Sequence, residues 1–426
     1  MSTDLSSPVV AKTDDHFGSD NLLREKLIIL GVTGSIAAYK AAILARMLIK
    51  AGAVVQVLLT ERAKQFVGCA TFAGISARPP ASSMFDPSAG GESHVSLTAR
   101  ADLIVIAPAT ADLLARLAQG RADDLLTATA LCARQPILVA PAMHPAMWSH
   151  PATQRNVAQL RSDGRISLIG PESGEVASGE AGQGRMSEPE QIFKAIRAAL
   201  SPSDLLGRHV VVTAGPTVED LDPVRYVTNR SSGKMGFAIA ERARERGAQV
   251  TLITGPVTLE TPLGVTRVDV RGALDMQAAL DRVLGADLSG ADALVMAAAV
   301  ADYRIAQASP TKLKPDADTM TLALTKNPDL LATIGERRGQ APLLLVGFAV
   351  ETANDEQIVN LARGKLKKKS VDMVVANHAA DSLGADTNRV WLVTESDQQL
   401  IQTAPKHLVA DAILGWLCRA WSELRT

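Results

Sequence analysis

Leu27-Ile-Ile-Leu-Gly-Val-Thr-Gly34-Ser-Ile-Ala-Ala-Tyr-Lys40 and Val210-Val-Val-Thr-Ala-Gly215-Pro-Thr217 decide the fold. Each is an apolar β run ending in a glycine turn that leads toward a helix start, and Asn229-Arg-Ser-Ser-Gly-Lys-Met-Gly236 follows the second. Glycine lets the backbone approach a phosphate, and a helix N-terminus then aims free N–H groups at its charge. Two such cradles in one chain predict two active sites. Neither turn carries the dinucleotide fingerprint G-x-G-x-x-G, so an ordinary NAD domain is not the first choice.

Outward from the first turn the pattern alternates. A helix over 36–51 leads to a strand over 53–59, then come a strand over 103–107, helices near 112–118 and 123–133, and a strand over 137–140. Strands separated by helical segments make βαβ units and a parallel sheet. Over 171–187 the glycines at 174, 179, 182 and 184 sit among polar residues without an apolar period, which predicts a mobile flap. A helix over 188–200 closes the half. The theme restarts with a strand over 209–214, a helix over 234–246, strands over 249–254, 292–298, 343–347 and 371–376, a helix over 273–284 and a final helix from about 405. The reading is α/β: two doubly wound Rossmann-like domains, a flavodoxin-like one over 25–200 and a second over 207–426, with a disordered tail over 1–24 and a linker over 201–206.

A chain of 426 residues is long enough for such cores, and 47% apolar residues with only 3% aromatic leaves Ala, Val, Leu and Ile to fill them. The net charge of −1 provides no field for recruiting nucleic acid or acidic lipid. Cys69, Cys132 and Cys418 form no CxxC pair, which argues for a reducing compartment, the cytoplasm. No charge-free apolar stretch approaches the roughly 18 residues of a membrane span.

Several candidates fall where strands end and helices begin, the edge at which open α/β sheets bind ligands. Gly34, Ser35 and Ile36 follow the first strand, Thr60 ends the second, and Ala109, Thr110, Ala111 and Asp112 follow the next. Taken singly, Ser or Thr ahead of a helix is a cap more often than a ligand. Glu61 keeps a ribose-binding, dinucleotide reading open. His94 lies in a polar stretch just before a strand, where a surface histidine is the plain alternative. Ala142, Met143 and His144 follow a buried strand and bring an imidazole to the same edge. In the second half Ser231-Ser-Gly-Lys-Met-Gly236 is an anion cradle or a capped helix start, and Lys365-Leu-Lys-Lys-Lys369 is by itself a solvated helix face.

Together Gly34-Ser-Ile-Ala-Ala-Tyr-Lys, His94-Val-Ser-Leu, Ala107-Pro-Ala-Thr-Ala-Asp, Asp124-Leu-Leu-Thr, Pro141-Ala-Met and Gly182-Gln-Gly-Arg-Met186 resemble the flavin-dependent cysteine decarboxylase family. With Ala214-Gly-Pro-Thr217, Asp222-Pro-Val-Arg-Tyr226, Asn229, Ala299-Val-Ala-Asp-Tyr, Lys312 and Asn327-Pro-Asp, the whole chain resembles the bifunctional phosphopantothenoylcysteine decarboxylase and phosphopantothenate-cysteine ligase family of coenzyme A biosynthesis. The resemblance implies FMN held by Gly34, Ser35, Ile36, Thr60, Ala109, Thr110, Ala111, Asp112 and Ala142. It implies His94 as a catalytic residue and Met143 and His144 against the substrate. The family's usual Asn is His144 here, which would donate through a ring N–H. The usual flap cysteine is Ser178, so the last proton falls to Ser178, Glu180, His144 or a water; without one the product stops at the ene-thiol.

For the second half the resemblance implies a CTP site of Met296, Ala297, Ala298, Asp302, Lys312, Asn327, Pro328, Asp329, Leu330, Phe348, Lys365 and Lys369. Asn229 would donate to an acyl-cytidylate, Lys312 would counter the charge developing as that forms, and Arg225 and Lys234 are further substrate candidates. Mg2+ is implied, with ligands unknown. The substrates would be 4′-phosphopantothenate, cysteine and CTP. Trimeric flavin domains, with FMN near the contact between subunits, and dimeric ligase domains imply a homododecamer. Two rival readings stand beside this: a flavin-binding regulatory protein with a surviving ligase half, and a two-domain NAD(P) oxidoreductase.

Overall fold

The computed structural model describes residues 22–85, 92–175, 179–314, 319–378 and 384–423. The chain divides at Ser201/Pro202 into two compact units.

The first unit holds a five-stranded parallel sheet in the order Val54–Leu59, Leu27–Val32, Leu103–Ala109, Ile137–Pro141, Ile166–Leu168. Its strands read as continuous apolar runs because both faces are covered. Ile28, Leu30, Leu103 and Val105 meet helices Ala38–Lys50 and Pro189–Leu200, whereas the alternate residues Ile29, Ile104 and Ile106 meet Leu125–Cys132 and Pro151–Ser162. Gly31 admits helix Leu125–Cys132 closely: a Cβ there would lie 2.5 Å from Leu126 Cδ1. Strand order 2-1-3-4-5 is that of the flavodoxin-like folds, and its direction reverses between Leu27–Val32 and Leu103–Ala109. That pair marks the crevice.

The second unit has eight strands in the order Thr266–Asp269, Gln249–Thr254, His209–Ala214, Ala293–Met296, Leu344–Glu351, Met373–His378, Thr387–Val393, Gln398–Pro405. The first six are parallel and the last two antiparallel. The six parallel strands follow the dinucleotide-fold order 3-2-1-4-5-6, with the reversal between His209–Ala214 and Ala293–Met296. Helices Lys234–Glu245 and Lys406–Glu423 cover one face, and Ala273–Leu284, Leu330–Arg338 and Asp355–Lys369 the other.

Four expectations change. The glycine-rich stretch expected as a flap contains an antiparallel hairpin, Glu172–Glu175 with Ala181–Arg185, whose glycines serve contact: a Cβ on Gly184 would lie 2.4 Å from Met143 O, and one on Gly182 2.8 Å from Pro145 Cβ. His94 sits inside helix Ser93–Arg100 rather than ahead of a strand. The tail expected over 1–24 overlaps the first core, where Leu23 is fully buried; residues 1–21 lie outside the described residues. The linker expected over 201–206 includes anchored residues, since Leu205 is buried in the second core and Asp204 pairs with Arg246 at 2.7 Å. Among the described residues no helix is long and apolar enough to cross a membrane.

Candidate functional site

At the first crevice a cavity of about 530 Å³ opens beyond the ends of Val54–Leu59, Leu27–Val32 and Leu103–Ala109. Gly34, Thr60, Thr110, Ala111 and Asp112 line it, with Glu61 and Arg62. Thr33 joins the two reversing strands: its buried Oγ1 donates to Pro108 O at 2.7 Å and accepts from Thr110 N at 3.3 Å. Thr110 Oγ1 accepts from Leu113 N and caps Ala111–Ala118; Thr60 Oγ1 and Ser35 Oγ likewise accept from backbone N–H groups two or three residues on. Capping is thus one role of each hydroxyl, and the first N–H groups of Ala111–Ala118 face the cavity edge as anion donors. Ser35, Ile36, Ala109, Ala142 and His94 are not among the lining residues.

Sequence reasoning missed the charged wall of this cavity. Arg116 pairs with Asp112 at 3.3 Å, Asp123 at 3.1 Å and Asp124 at 2.7 Å, and Arg121 pairs with Asp123. Burial raises the Asp124 carboxyl, but the Thr127 N–H and Arg116 outweigh it and hold the group below its ordinary value. The i,i+4 spacing of Asp112 and Arg116 was the available signal.

His144 caps helix Pro145–Ser149, its Nδ1 accepting from Ala146 N at 3.3 Å. That fixes the ring proton on Nε2, which lies 3.3 Å from Glu180 Oε2. The hairpin is tied here as well, through Met143 N donating to Gly184 O at 3.0 Å, and Ala142 N donates to Ala109 O at 2.9 Å. Lys40 is buried under the same region, its Nζ 2.8 Å from Glu188 Oε1 and 3.2 Å from Met186 O, and the Lys40 hydrogen bond pulls the Glu188 carboxyl below its usual range. The single chain leaves His94 half-buried with no ring hydrogen bond among the described residues, and Ser178 lies outside them.

At the second crevice the floor is backbone. Ala297 N and Ala298 N donate to Thr213 O and Oγ1, each at 3.2 Å; Ala299 N donates to Gly215 O at 2.8 Å, and Ala301 N to Thr217 Oγ1 at 2.9 Å. Gly215 and Gly233 take φ values of 71° and 75°, which glycine alone adopts readily. Gly236 lets Lys234–Glu245 rest on the strand end, where a Cβ would lie 2.5 Å from Ala214 Cβ.

Around this floor the expected residues separate into two sets. Asp302 and Lys312 are exposed, and neither makes a side-chain bond among the described residues. Phe348 is half-buried, Lys365 pairs with Glu351 at 2.7 Å, Lys369 pairs with Asp329 at 3.1 Å, and Asp329 caps Leu330–Arg338. Met296 and Leu330 are core residues. Asn327 is buried and satisfied: Nδ2 donates to Ala301 O at 2.9 Å and Oδ1 accepts from Arg304 at 3.1 Å. Asn229 Nδ2 donates to Val300 O at 3.1 Å, and Lys234 pairs with Asp386 at 2.6 Å. Arg225 is held by Asp222. Among the described residues no group of three or more His, Cys, Asp or Glu is placed to hold a metal ion.

The two α/β units, each with a topological switch point, match the two family models of a flavoprotein of pantothenate metabolism: the family described as Flavoprotein matches residues 18–201, and the DNA/pantothenate metabolism flavoprotein C-terminal domain matches 205–420. The coenzyme A biosynthesis bifunctional protein CoaBC of Vibrio cholerae is 42% identical over 92% of this chain and 98% of its own. The crystal structure of a CoaBC C-terminal domain is 37% identical, covering 52% of this chain and 99% of that one with a TM-score of 0.44, and the FMN-dependent cysteine decarboxylase SpaF is 36% identical over 42% and 97%, with a TM-score of 0.37. The chain belongs to the CoaBC family of bifunctional coenzyme A biosynthesis proteins.

Proposed function

We propose that the second unit joins 4′-phosphopantothenate to cysteine through an acyl-cytidylate made from CTP, and that the first unit decarboxylates the product to 4′-phosphopantetheine. The observation that carries the reading is the pairing, in a chain related to CoaBC along nearly its whole length, of two switch-point crevices of different build. FMN suits the first: a cavity of about 530 Å³ lies within the range of roughly 300–1,000 Å³ common to small-molecule sites, and helix Ala111–Ala118 offers N–H groups to a phosphate. Gly34, Thr60, Thr110 and Ala111 would hold it, with Ser35, Ile36, Ala109, Asp112 and Ala142 nearby.

Bound here, FMN would supply the electron sink that a cysteine-derived carboxylate lacks. The protein's part is orientation and proton handling. His94 helps ionise the thiol. His144 Nε2–H, its tautomer set by Ala146 N, donates to the substrate carboxylate or to Glu180, so that the pair stands ready to move a proton.

In the second unit the positive side chains of Lys312, Lys365 and Lys369 counter the triphosphate while Mg2+ accompanies it, as hard cations do on phosphate oxygens. Asn229 leaves Val300 O to meet the acyl phosphate. Phosphopantothenate, cysteine, CTP and Mg2+ should yield CMP, pyrophosphate and CO2 from a yellow protein. Lys312→Gln should cut pyrophosphate release about 100–1,000-fold and keep the colour, and His94→Asn should stop CO2 release while pyrophosphate release continues; a colourless protein that binds nicotinamide nucleotide tightly would refute the reading. The proposed assembly is a homododecamer and the proposed compartment the cytoplasm.

A further inference from the structure

Among the described residues, the segment that carries Lys312 has no helix or strand of its own between Tyr303–Ile305 and Leu324–Lys326. Three bonds nevertheless bracket the lysine, all from the turn that joins strands Val218–Asp220 and Tyr226–Thr228. Ser309 N donates to Leu221 O at 2.9 Å, Leu313 N to Asp222 Oδ2 at 3.1 Å, and Arg225 Nη2 to Leu313 O at 2.7 Å. Asp222 is the hub. Its Oδ1 accepts from Val224 N and Arg225 N, each at 2.8 Å, and its Oδ2 from Arg225 Nε at 2.9 Å and Nη2 at 2.6 Å as well as from Leu313 N. Every partner is a donor, so only the ionised carboxylate satisfies the set. The side chain is 0% exposed, and the bonds within it are charge-assisted.

Arg225 therefore spends its planar fork on Asp222 and on a carbonyl next to Lys312. We infer that Asp222 and Arg225 are positioning residues: they clamp the backbone beside Lys312 and so hold its ammonium where the nucleotide's phosphates react. This deepens the ligase reading and rests on it. An exposed lysine on an irregular segment would otherwise sample many positions, and a small misplacement of a charge-stabilising group costs rate rather than affinity.

The test is a double-mutant cycle on the full chain, reading CTP-dependent pyrophosphate release with 4′-phosphopantothenate. Asp222→Asn should lower kcat about 10–100-fold and change the KM for CTP by less than about 3-fold, yet cost nothing further in a Lys312→Gln background, because a clamp acts only through what it holds. Arg225→Lys keeps the charge but not the fork, and should match Asp222→Asn. Equal losses in both backgrounds, a loss confined to KM, or wild-type kcat in Arg225→Lys would each overturn the inference. Amide hydrogen exchange decides independently of activity: amides over 309–314 should exchange faster in Asp222→Asn while the sheet stays protected, and unchanged exchange there would refute the clamp. If the wild-type chain releases no pyrophosphate, the ligase reading falls, and the exchange result still settles whether the clamp exists.

Discussion

Asp222 shows at the residue scale how a motif can be legible in the sequence while the contacts of its side chains are not. Asp222-Pro-Val-Arg-Tyr226 was legible as a ligase motif, and Arg225 as a substrate ligand; the fork that joins the two is a tertiary fact that no local spacing encodes. Burial raises this carboxyl, but Arg225 and three backbone N–H groups more than offset it and hold the group far below the usual carboxylate range. Its stabilising contribution is therefore complete above the unfolded value of about 4 and fades as pH falls below that, where the unfolded chain binds the proton and the folded chain does not. Comparing urea midpoints of wild type and Asp222→Asn should give a difference that is largest at neutral pH and shrinks on acidification. A difference independent of pH would mean the carboxylate is not the source.

Elements differ in how openly the sequence announces them. Apolar runs such as Ile28 to Val32 and Val210 to Ala214 are strands buried on both faces, and their reading agreed with the structure to within a residue or two. The hairpin Glu172–Glu175 with Ala181–Arg185 was illegible for the opposite reason: Gly182 and Gly184, which read as freedom, sit where Pro145 and Met143 leave no room for a Cβ. Thr387–Val393 and the edge strand Gln398–Pro405 escaped too, since polar residues interrupt their apolar pattern. Gly184→Ala should push the hairpin off Met143 O, at a cost of roughly 1–3 kcal/mol to the first unit, and lower CO2 release while pyrophosphate release stays at the wild-type rate. Chemical denaturation followed alongside both assays checks this. His94 marks the limit of the single chain, because its helix was misread and the cavity lining does not include it.

At the scale of the whole molecule, each unit has its own sheet, cores and crevice. Lys312→Gln and His94→Asn chains, purified separately, should each fail to produce CO2 from 4′-phosphopantothenate, cysteine and CTP, and a mixture of the two should recover it, with CO2 evolution as the readout. No recovery would mean the intermediate never leaves the chain that made it. The two units also complete themselves at different moments of synthesis. The first unit ends at Ser201, whereas Val409, Ile413, Leu417 and Trp421 of the final helix fill one face of the second sheet. The first unit can therefore fold while the ribosome is still translating, and the second must wait with an apolar face bare until its closing helix leaves the exit tunnel. Slow codons late in the message, or a premature stop just ahead of Lys406, would strand that face and hand the nascent chain to chaperones and proteases with a finished flavoprotein unit at its head.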